Sequence, residues 1–95
     1  MNKYEMGAVF KPTLDEEQLR AEIEKVQGLI ERFNGAVEKI DEWGKRRLAY
    51  EINYISEGYY VFYTFAAEPS TPAEIESRIR IMETVIRYLI IRLDE

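Results

Sequence analysis

Residues 42–52 read EWGKRRLAYEI, a strand-like stretch in which a glycine is followed at once by three cations. Apolar and aromatic side chains resume with Leu48. A glycine inside a strand often marks a bulge or a strong twist, so we expect one at Gly44. Charged side chains are also a common protection for a strand at the edge of a sheet. The stretch therefore predicts a long edge strand, over residues 36–53, that bulges at Gly44.

The flanking segments place this strand in a regular order of elements. Residues 3–11 and 58–68 show the period-two alternation of strands. Residues 15–33 carry apolar side chains at helical spacing, which predicts a first helix. A second helix is predicted to begin at Thr71, and residues 85–93 form a near-continuous apolar strand. The order is β-α-β-β-α-β. With right-handed crossovers it predicts an α+β, ferredoxin-like split βαβ fold: one four-stranded antiparallel sheet, two helices on one face, and strands one and three in the centre.

Cap and turn signals separate these elements. Capping-box spacing occurs twice before the first helix, so its start remains open between two pairs. These pairs are Thr13 with Glu16 and Asp15 with Gln18, and Asn34-Gly35 supplies a left-handed stop at the end of the helix. A turn is expected around Glu57-Gly58. At the second helix, Thr71 is the expected N-cap, Pro72 the first helical residue, and Glu74 the residue that completes the capping box. The core stripe of that helix is expected to be Ile75, Ile79 and Met82.

Composition excludes several functional classes. The chain has 95 residues, enough for one modest core, and we expect a single domain over residues 1–95. Cysteine and histidine are absent, which excludes disulfides, thiolate chemistry and a histidine base. We expect no metal, no cofactor and no small-molecule substrate. No apolar run approaches the roughly 20 residues of a membrane span, and no signal-peptide layout is present, so we expect a cytoplasmic protein without membrane contact.

Two helices can cover only one side of the predicted sheet. By alternation, the other side carries Val9, Tyr60, Phe62, Arg87, Leu89 and Ile91. Contiguous apolar patches of this kind usually mark interaction sites, although β-propensity alone could also select these residue types. Base stacking, as in RNA-recognition motifs, is a weaker alternative because EGYYVFYTF lacks their basic-aromatic signature. The run Lys45-Arg46-Arg47 is equally open to two interpretations, a protected edge and a docking site, which do not exclude each other.

Four segments resemble the family of protein six of the bacterial small ribosomal subunit. They are KYE at 3–5, DEWGKRRLAYEI at 41–52, EGYYVFYTFAAEP at 57–69 and VIRYLIIR at 85–92. The resemblance covers essentially the whole chain. It implies a structural protein of the ribosome, not an enzyme, that binds the central domain of 16S ribosomal RNA as a heterodimer with small-subunit ribosomal protein eighteen.

The resemblance also implies candidate contact residues. The candidates for the protein-partner surface are Arg46, Arg47, Leu48, Tyr50, Tyr60 and Phe62. The candidates for RNA phosphate and sugar contacts are Lys3, Arg80, Arg87 and Arg92. For Arg78 and Arg80, a solvated helix face with pairing to Glu74, Glu76 or Glu83 is an equal alternative. The net charge of −5 argues against strong RNA binding by this chain alone, so we expect the partner to be required.

Two other functional classes fit the same fold less well. An acylphosphatase-like enzyme needs an arginine-bearing anion loop after the first strand, where this chain has the acidic KPTLDEEQ. Dimeric ferredoxin-like oxygenases usually rely on a histidine. A homodimeric ligand-binding regulatory module remains the alternative to a ribosomal protein, although no glycine-rich ligand loop supports it. A stable homodimer in isolation would favour that module, and a monomer would favour the ribosomal protein.

Overall fold

The computed structural model describes residues 1–52 and 55–93. In chain order the elements are β1 (Asn2–Phe10), α1 (Glu16–Arg32), β2 (Ala36–Ile52), β3 (Ile55–Ala67), α2 (Thr71–Ile79) and β4 (Val85–Leu93). The strands form one sheet in the order β2-β3-β1-β4, and every neighbouring pair is antiparallel. The predicted ferredoxin-like fold is confirmed, with β1 and β3 in the centre and β2 and β4 at the edges.

The core lies between the sheet and the two helices. Alternate residues of the two central strands point into it, because successive side chains of a strand face opposite sides. The buried cluster comprises Tyr4, Met6, Ala8 and Phe10 of β1, Val61, Tyr63, Phe65 and Ala67 of β3, Ile23, Val26 and Ile30 of α1, and Ile75 and Ile79 of α2. Full burial of such an apolar side chain stabilises the fold by roughly 1.5–3 kcal/mol, before conformational entropy is counted.

Helix α1 begins at a capping box and ends before a residue in a left-handed conformation. The Asp15 carboxylate accepts from the Gln18 backbone N–H at 2.8 Å, and the Gln18 side chain accepts from the Asp15 N–H at 3.1 Å. This capping box satisfies two donors that the first turn leaves unpaired. After the C-cap Phe33, Asn34 adopts a left-handed conformation with φ 67°. Of the two possible starts, the pair Asp15 and Gln18 is therefore the one used.

Strand β2 contains bulges, which allow it to follow β3. Its register with β3 shifts first between Val37 and Lys39, next between Glu42 and Gly44, and a third time between Arg47 and Ile52. The first shift brings Val37 and Ile40, an odd number of residues apart, to the same core side. At the second shift Gly44 has φ 84°, a left-handed conformation that favours glycine. The predicted bulge at Gly44 is confirmed.

Three predicted details of turns and helix ends are wrong. Glu57 and Gly58 do not form a turn, because they pair with Arg47 and Arg46 inside the hairpin. The connection between β2 and β3 falls at residues 53–54, outside the described residues, together with the last predicted residue of the second strand. The turn was predicted because glycine often ends a strand. A glycine is equally acceptable inside a strand pair when a neighbouring side chain occupies the space that its own side chain would fill.

The other two errors concern α2. Its N-cap is Ser70, which makes no side-chain capping bond, and Thr71 is the first helical residue. The Thr71 hydroxyl donates instead to the Phe33 carbonyl at 3.0 Å, so this buried threonine links α2 to the end of α1. The helix ends at Ile79, so Met82 contacts the core from the following turn and not from the helix.

Candidate protein and RNA interface

The side of the sheet opposite the helices is uncovered, and we call it the open face. It comprises Gly7, Val9, Trp43, Tyr50, Tyr60, Phe62, Arg87, Leu89 and Ile91. Four of its large side chains are exposed: Trp43 by 49%, Tyr50 by 63%, Leu89 by 62% and Ile91 by 44%. Exposing these groups together to water does not stabilise the fold, so the open face has the character of an interaction surface.

An aromatic group occupies the centre of the open face. The ring centroids of Trp43 and Phe62 lie 4.5 Å apart in a tilted arrangement, and Tyr60 lies 6.5 Å from Phe62. The Phe62 ring lies close over Gly7, where an added Cβ would come within 2.9 Å of its Cε1. The Trp43 indole N–H donates to the Asp41 carboxylate at 3.3 Å, which orients the ring. The aromatic group is therefore held in place before any partner arrives.

The second bulge of β2 explains why Trp43 belongs to this group. Glu42 pairs with Val61 and Gly44 with Tyr60, which leaves Trp43 as the additional residue. A bulge redirects a side chain relative to simple alternation, so Trp43 reaches Phe62. Sequence reasoning did not include Trp43 among the candidate contacts. The glycine that predicted the bulge was the signal that could have identified the residue beside it.

A shallow depression of about 180 Å³ lies beside the aromatic group. Gly7 and Val9 of β1 form its floor, and Tyr60, Phe62 and Leu89 stand around it. Arg87 and Tyr88 of β4 also line it, and Arg87 is the cation of this depression. An apolar floor with one guanidinium at its edge suits an apolar side chain of a partner near a negatively charged group.

Arg87 also contacts the end of the β2–β3 hairpin. Its Nη1 donates to the Tyr50 hydroxyl at 3.4 Å, and its Cζ lies 5.8 Å from the centroid of the Tyr50 ring. Tyr50 was a candidate for the protein partner and Arg87 a candidate for RNA. The structure thus brings together one residue from each candidate set.

The remaining partner candidates do not all lie on the open face. Tyr60 and Phe62 lie on the open face as expected. Arg46 and Arg47 are both exposed, and because they are adjacent in β2 their side chains point to opposite sides. Leu48, also a candidate for the partner surface, is buried instead, with only 7% of its surface accessible.

The burial of Leu48 follows from the path of the hairpin. Leu48 and Val9 are both buried, yet neither belongs to the core between the sheet and the helices. At this end the hairpin bends over the open face, as the contact between Tyr50 and Arg87 demonstrates. Gly58 permits the bend, because a Cβ at this position would overlap the Val9 side chain. Val9, which was expected on the uncovered side, is covered by the same bend.

The four RNA candidates do not form one cluster. Lys3 and Arg87 lie on the same side of the sheet but far apart. Arg87 pairs with Val9, which is six residues along β1 from Lys3, so about 20 Å separates the two cations along the strand. Arg92 lies opposite the core residue Tyr4, hence on the helix side, where it donates to the Asn2 side chain at 3.2 Å. Arg80 is the exposed C-cap of α2.

Ion pairing among the described residues is sparse. Among the side chains that the structure describes, the only ion pair joins Lys3 Nζ to Glu38 Oε1 at 3.5 Å. The pairing considered for Arg78 and Arg80 is therefore not observed in the described part of the chain. The Arg78 Cζ lies 5.9 Å from the centre of the Phe33 ring instead, which is a cation–π contact.

Two tyrosines on the core side have raised pKa values. Burial raises the pKa of Tyr63 far above its usual range, and the Glu42 charge adds to the effect. Burial also raises the pKa of Tyr59, which donates to the Glu42 carboxylate at 3.1 Å. Neither lies on the open face, and no group of three metal-ligating side chains occurs within the described residues. Neither helix is long and apolar enough to cross a bilayer, as far as the described residues extend.

Comparison with known proteins decides the family. Residues 3–92, nearly the full chain, match the model of the family Ribosomal protein S6. The chain belongs to the ribosomal protein S6 family. As a member of the S6 family it is a structural protein of the small ribosomal subunit and not an enzyme, and it is located on the ribosome in the cytoplasm.

Individual S6 proteins agree with this assignment in sequence and in structure. Small ribosomal subunit protein bS6 of Clostridium kluyveri is 47% identical over 92 residues, which are 97% of each chain. The protein of the same name from Clostridium botulinum strain Hall is 48% identical over 91 residues, covering 96% of this chain and 97% of the relative. The crystal structure of 30S ribosomal protein S6 from Thermotoga maritima superimposes with a TM-score of 0.92 at 30% identity, covering 97% of this chain and 87% of that chain.

Proposed function

We propose that this chain binds the central domain of 16S ribosomal RNA as a heterodimer with small-subunit ribosomal protein eighteen. The observation that carries the proposal is the open face, where exposed aromatic and aliphatic side chains remain uncovered on one side of the sheet. Aromatic anchors at the centre of a surface are the usual source of binding energy between proteins. The open face is thus suited to a protein partner.

The partner surface consists of the open-face candidates and their support. Tyr50, Tyr60 and Phe62 contact the partner together with Trp43, and Arg46 and Arg47 contribute charges at the rim. Leu48 supports the hairpin from beneath, because it is buried in this chain. The depression beside Phe62 receives an apolar side chain of the partner.

The RNA contacts of this chain are few and scattered, which supports a requirement for the partner. The proposed phosphate contacts remain Lys3, Arg80, Arg87 and Arg92. RNA affinity depends on the number of phosphates that cations neutralise, and the net charge of this chain is −5. Lys3 is moreover paired with Glu38. We therefore expect weak binding by the chain alone and tight binding by the heterodimer.

A salt-dependent titration tests the proposal. A central-domain fragment of 16S ribosomal RNA is titrated with this protein, with protein eighteen, and with the equimolar mixture, at several salt concentrations. The proposal predicts tight, salt-sensitive binding only by the mixture, with a steeper salt dependence than either protein has alone. Absence of binding by the folded mixture would refute it, as would equal affinity with and without protein eighteen.

The single tryptophan provides an independent measurement of the docking step. Trp43 is about half exposed on the open face. If the partner covers this face, the Trp43 emission shifts to shorter wavelength on addition of protein eighteen without RNA, provided that any tryptophan of the partner is replaced. An unchanged spectrum at a concentration where the heterodimer forms would place the partner elsewhere on the molecule.

A further inference from the structure

The contact between Tyr50 and Arg87 joins two residues that are 37 positions apart in the sequence. Tyr50 lies near the end of the β2–β3 hairpin, and Arg87 lies on β4, at the opposite edge of the sheet. The end of the hairpin bends over one end of the open face to make this contact. Two different interactions support it, a hydrogen bond to the hydroxyl and the position of the guanidinium near the aromatic ring.

We propose that Tyr50 is a positioning residue that holds the Arg87 guanidinium for a backbone phosphate of the ribosomal RNA. This inference rests on the proposed function, since it requires that Arg87 contacts RNA. Tyr50 itself contacts the partner protein and not the RNA, and it acts on RNA affinity through Arg87.

The geometry leaves the guanidinium able to bind. A guanidinium carries five N–H donors, and the contact with the Tyr50 hydroxyl uses one of them. A free arginine on a sheet surface samples many rotamers, and binding a phosphate would have to restrict them. The Tyr50 ring restricts them in advance. The chain has few cations on this face, so the orientation of each one has a large influence on RNA affinity.

The test is a double-mutant cycle on the heterodimer. Tyr50→Leu keeps an apolar side chain but removes both the hydroxyl and the ring, whereas Tyr50→Phe keeps the ring. RNA affinity is measured with protein eighteen at saturation, so that a change in docking does not enter. We expect Tyr50→Leu to weaken RNA binding about two- to fivefold, the range of an exposed cation–π contact, and Tyr50→Phe to have a smaller effect.

The decisive quantity is the coupling between the two positions. In the background of Arg87→Ala, Tyr50→Leu should no longer change RNA affinity, because its target is gone. In the matched background of Arg92→Ala, it should retain its full effect, since Arg92 contacts Asn2 and not Tyr50. Equal effects of Tyr50→Leu in all three backgrounds would overturn the inference.

A second measurement separates this inference from the proposed function. The Nε–Hε signal of Arg87 in the NMR spectrum of the free protein reports the nearby aromatic ring. It should move toward the position of an unstructured arginine in Tyr50→Leu and remain in Tyr50→Phe. If Arg87→Ala leaves RNA affinity unchanged, the RNA assignment of Arg87 fails and the inference with it. If Arg87→Ala weakens binding but shows no coupling to Tyr50, only the inference fails.

Discussion

Tyr63 is the largest completely buried side chain among the described residues. Its ring fills the core, and its hydroxyl donates to the backbone carbonyl of Ile23 at 2.9 Å. A buried hydroxyl is tolerated only when it finds a partner, because leaving it unpaired has a cost comparable to a lost hydrogen bond. Tyr63 therefore fixes the position of α1 on the sheet as well as filling space.

Removal of this single oxygen should be measurable. We expect Tyr63→Phe to lower the free energy of unfolding by about 1 kcal/mol, since the Ile23 carbonyl loses its partner in the core. Urea denaturation provides the measurement. Tyr60→Phe makes the same chemical change on the open face and should stay within about 0.5 kcal/mol of the parent. Equal effects of the two substitutions would contradict a structural role for the Tyr63 hydroxyl.

Tyr63 also predicts a dependence of stability on pH. Burial raises its pKa in the folded protein, whereas the unfolded chain has a pKa of about 10. Above pH 10 the unfolded state releases a proton that the folded state keeps, so alkali favours unfolding. This contribution is fully present below pH 10 and decreases above it. When the pH is raised from about 9 to about 11, the free energy of unfolding of Tyr63→Phe should therefore fall less than that of the parent protein. Identical decreases in the two proteins would refute the raised pKa of Tyr63.

Among the elements, β2 is the one that determines the shape of the open face. Its second bulge directs Trp43 onto Phe62, and its far end brings Tyr50 to Arg87. The left-handed conformation at Gly44 is the local condition for this bulge. Side chains with a Cβ adopt that conformation only at a cost of about 1–2 kcal/mol.

Two glycine-to-alanine substitutions should therefore have opposite effects. Gly44→Ala should lower the free energy of unfolding by about 1–2 kcal/mol, although its nearest neighbour would be 3.9 Å away, because the strain is in the backbone. Gly28→Ala lies in the exposed part of α1, with nothing within 4 Å, and should stabilise by about 0.5–1 kcal/mol. Chemical denaturation of both variants tests this. Stabilisation by Gly44→Ala would exclude the left-handed bulge.

The same strand shows how far the sequence predicts this molecule. Local signals were sufficient for the bulge at Gly44, since the glycine is readable in the strand itself. The phase of Val37 and Ile40 indicated an irregularity, but it did not locate the separate register shift beside Val37. Alternation in β3 was sufficient to place Tyr60 and Phe62 on the open face. The burial of Leu48 and the contact of Tyr50 with Arg87 were not predictable, because they depend on how far the hairpin bends over residues remote in sequence.

At the scale of the whole molecule, the two sides of the sheet serve different purposes. The helix side contains the core, so its residues are committed to the stability of the fold. The open face contains few of the residues that the core requires, and large side chains there can be changed without creating a cavity beneath the helices. Binding and stability can therefore be altered separately.

This separation predicts the outcome of truncating exposed apolar residues. Trp43→Ala should weaken the affinity for protein eighteen by roughly tenfold or more, as expected for a central aromatic anchor. Ile81→Ala removes an even more exposed side chain, accessible by 75%, from the turn after α2 and should leave the affinity unchanged. Titration calorimetry measures both. A similar loss for the two variants would mean that the open face is not the docking surface.

The position of β4 has a consequence for the synthesis of the protein. β1 pairs on one side with β3 and on the other with β4, which is translated after the other three strands, so that Lys3 lies opposite Leu93. A nascent chain that has formed the β2–β3 hairpin still exposes one backbone edge of β1. Such an edge can pair with a strand of another chain. We therefore expect newly made copies to be more prone to aggregation before β4 leaves the exit tunnel than after it.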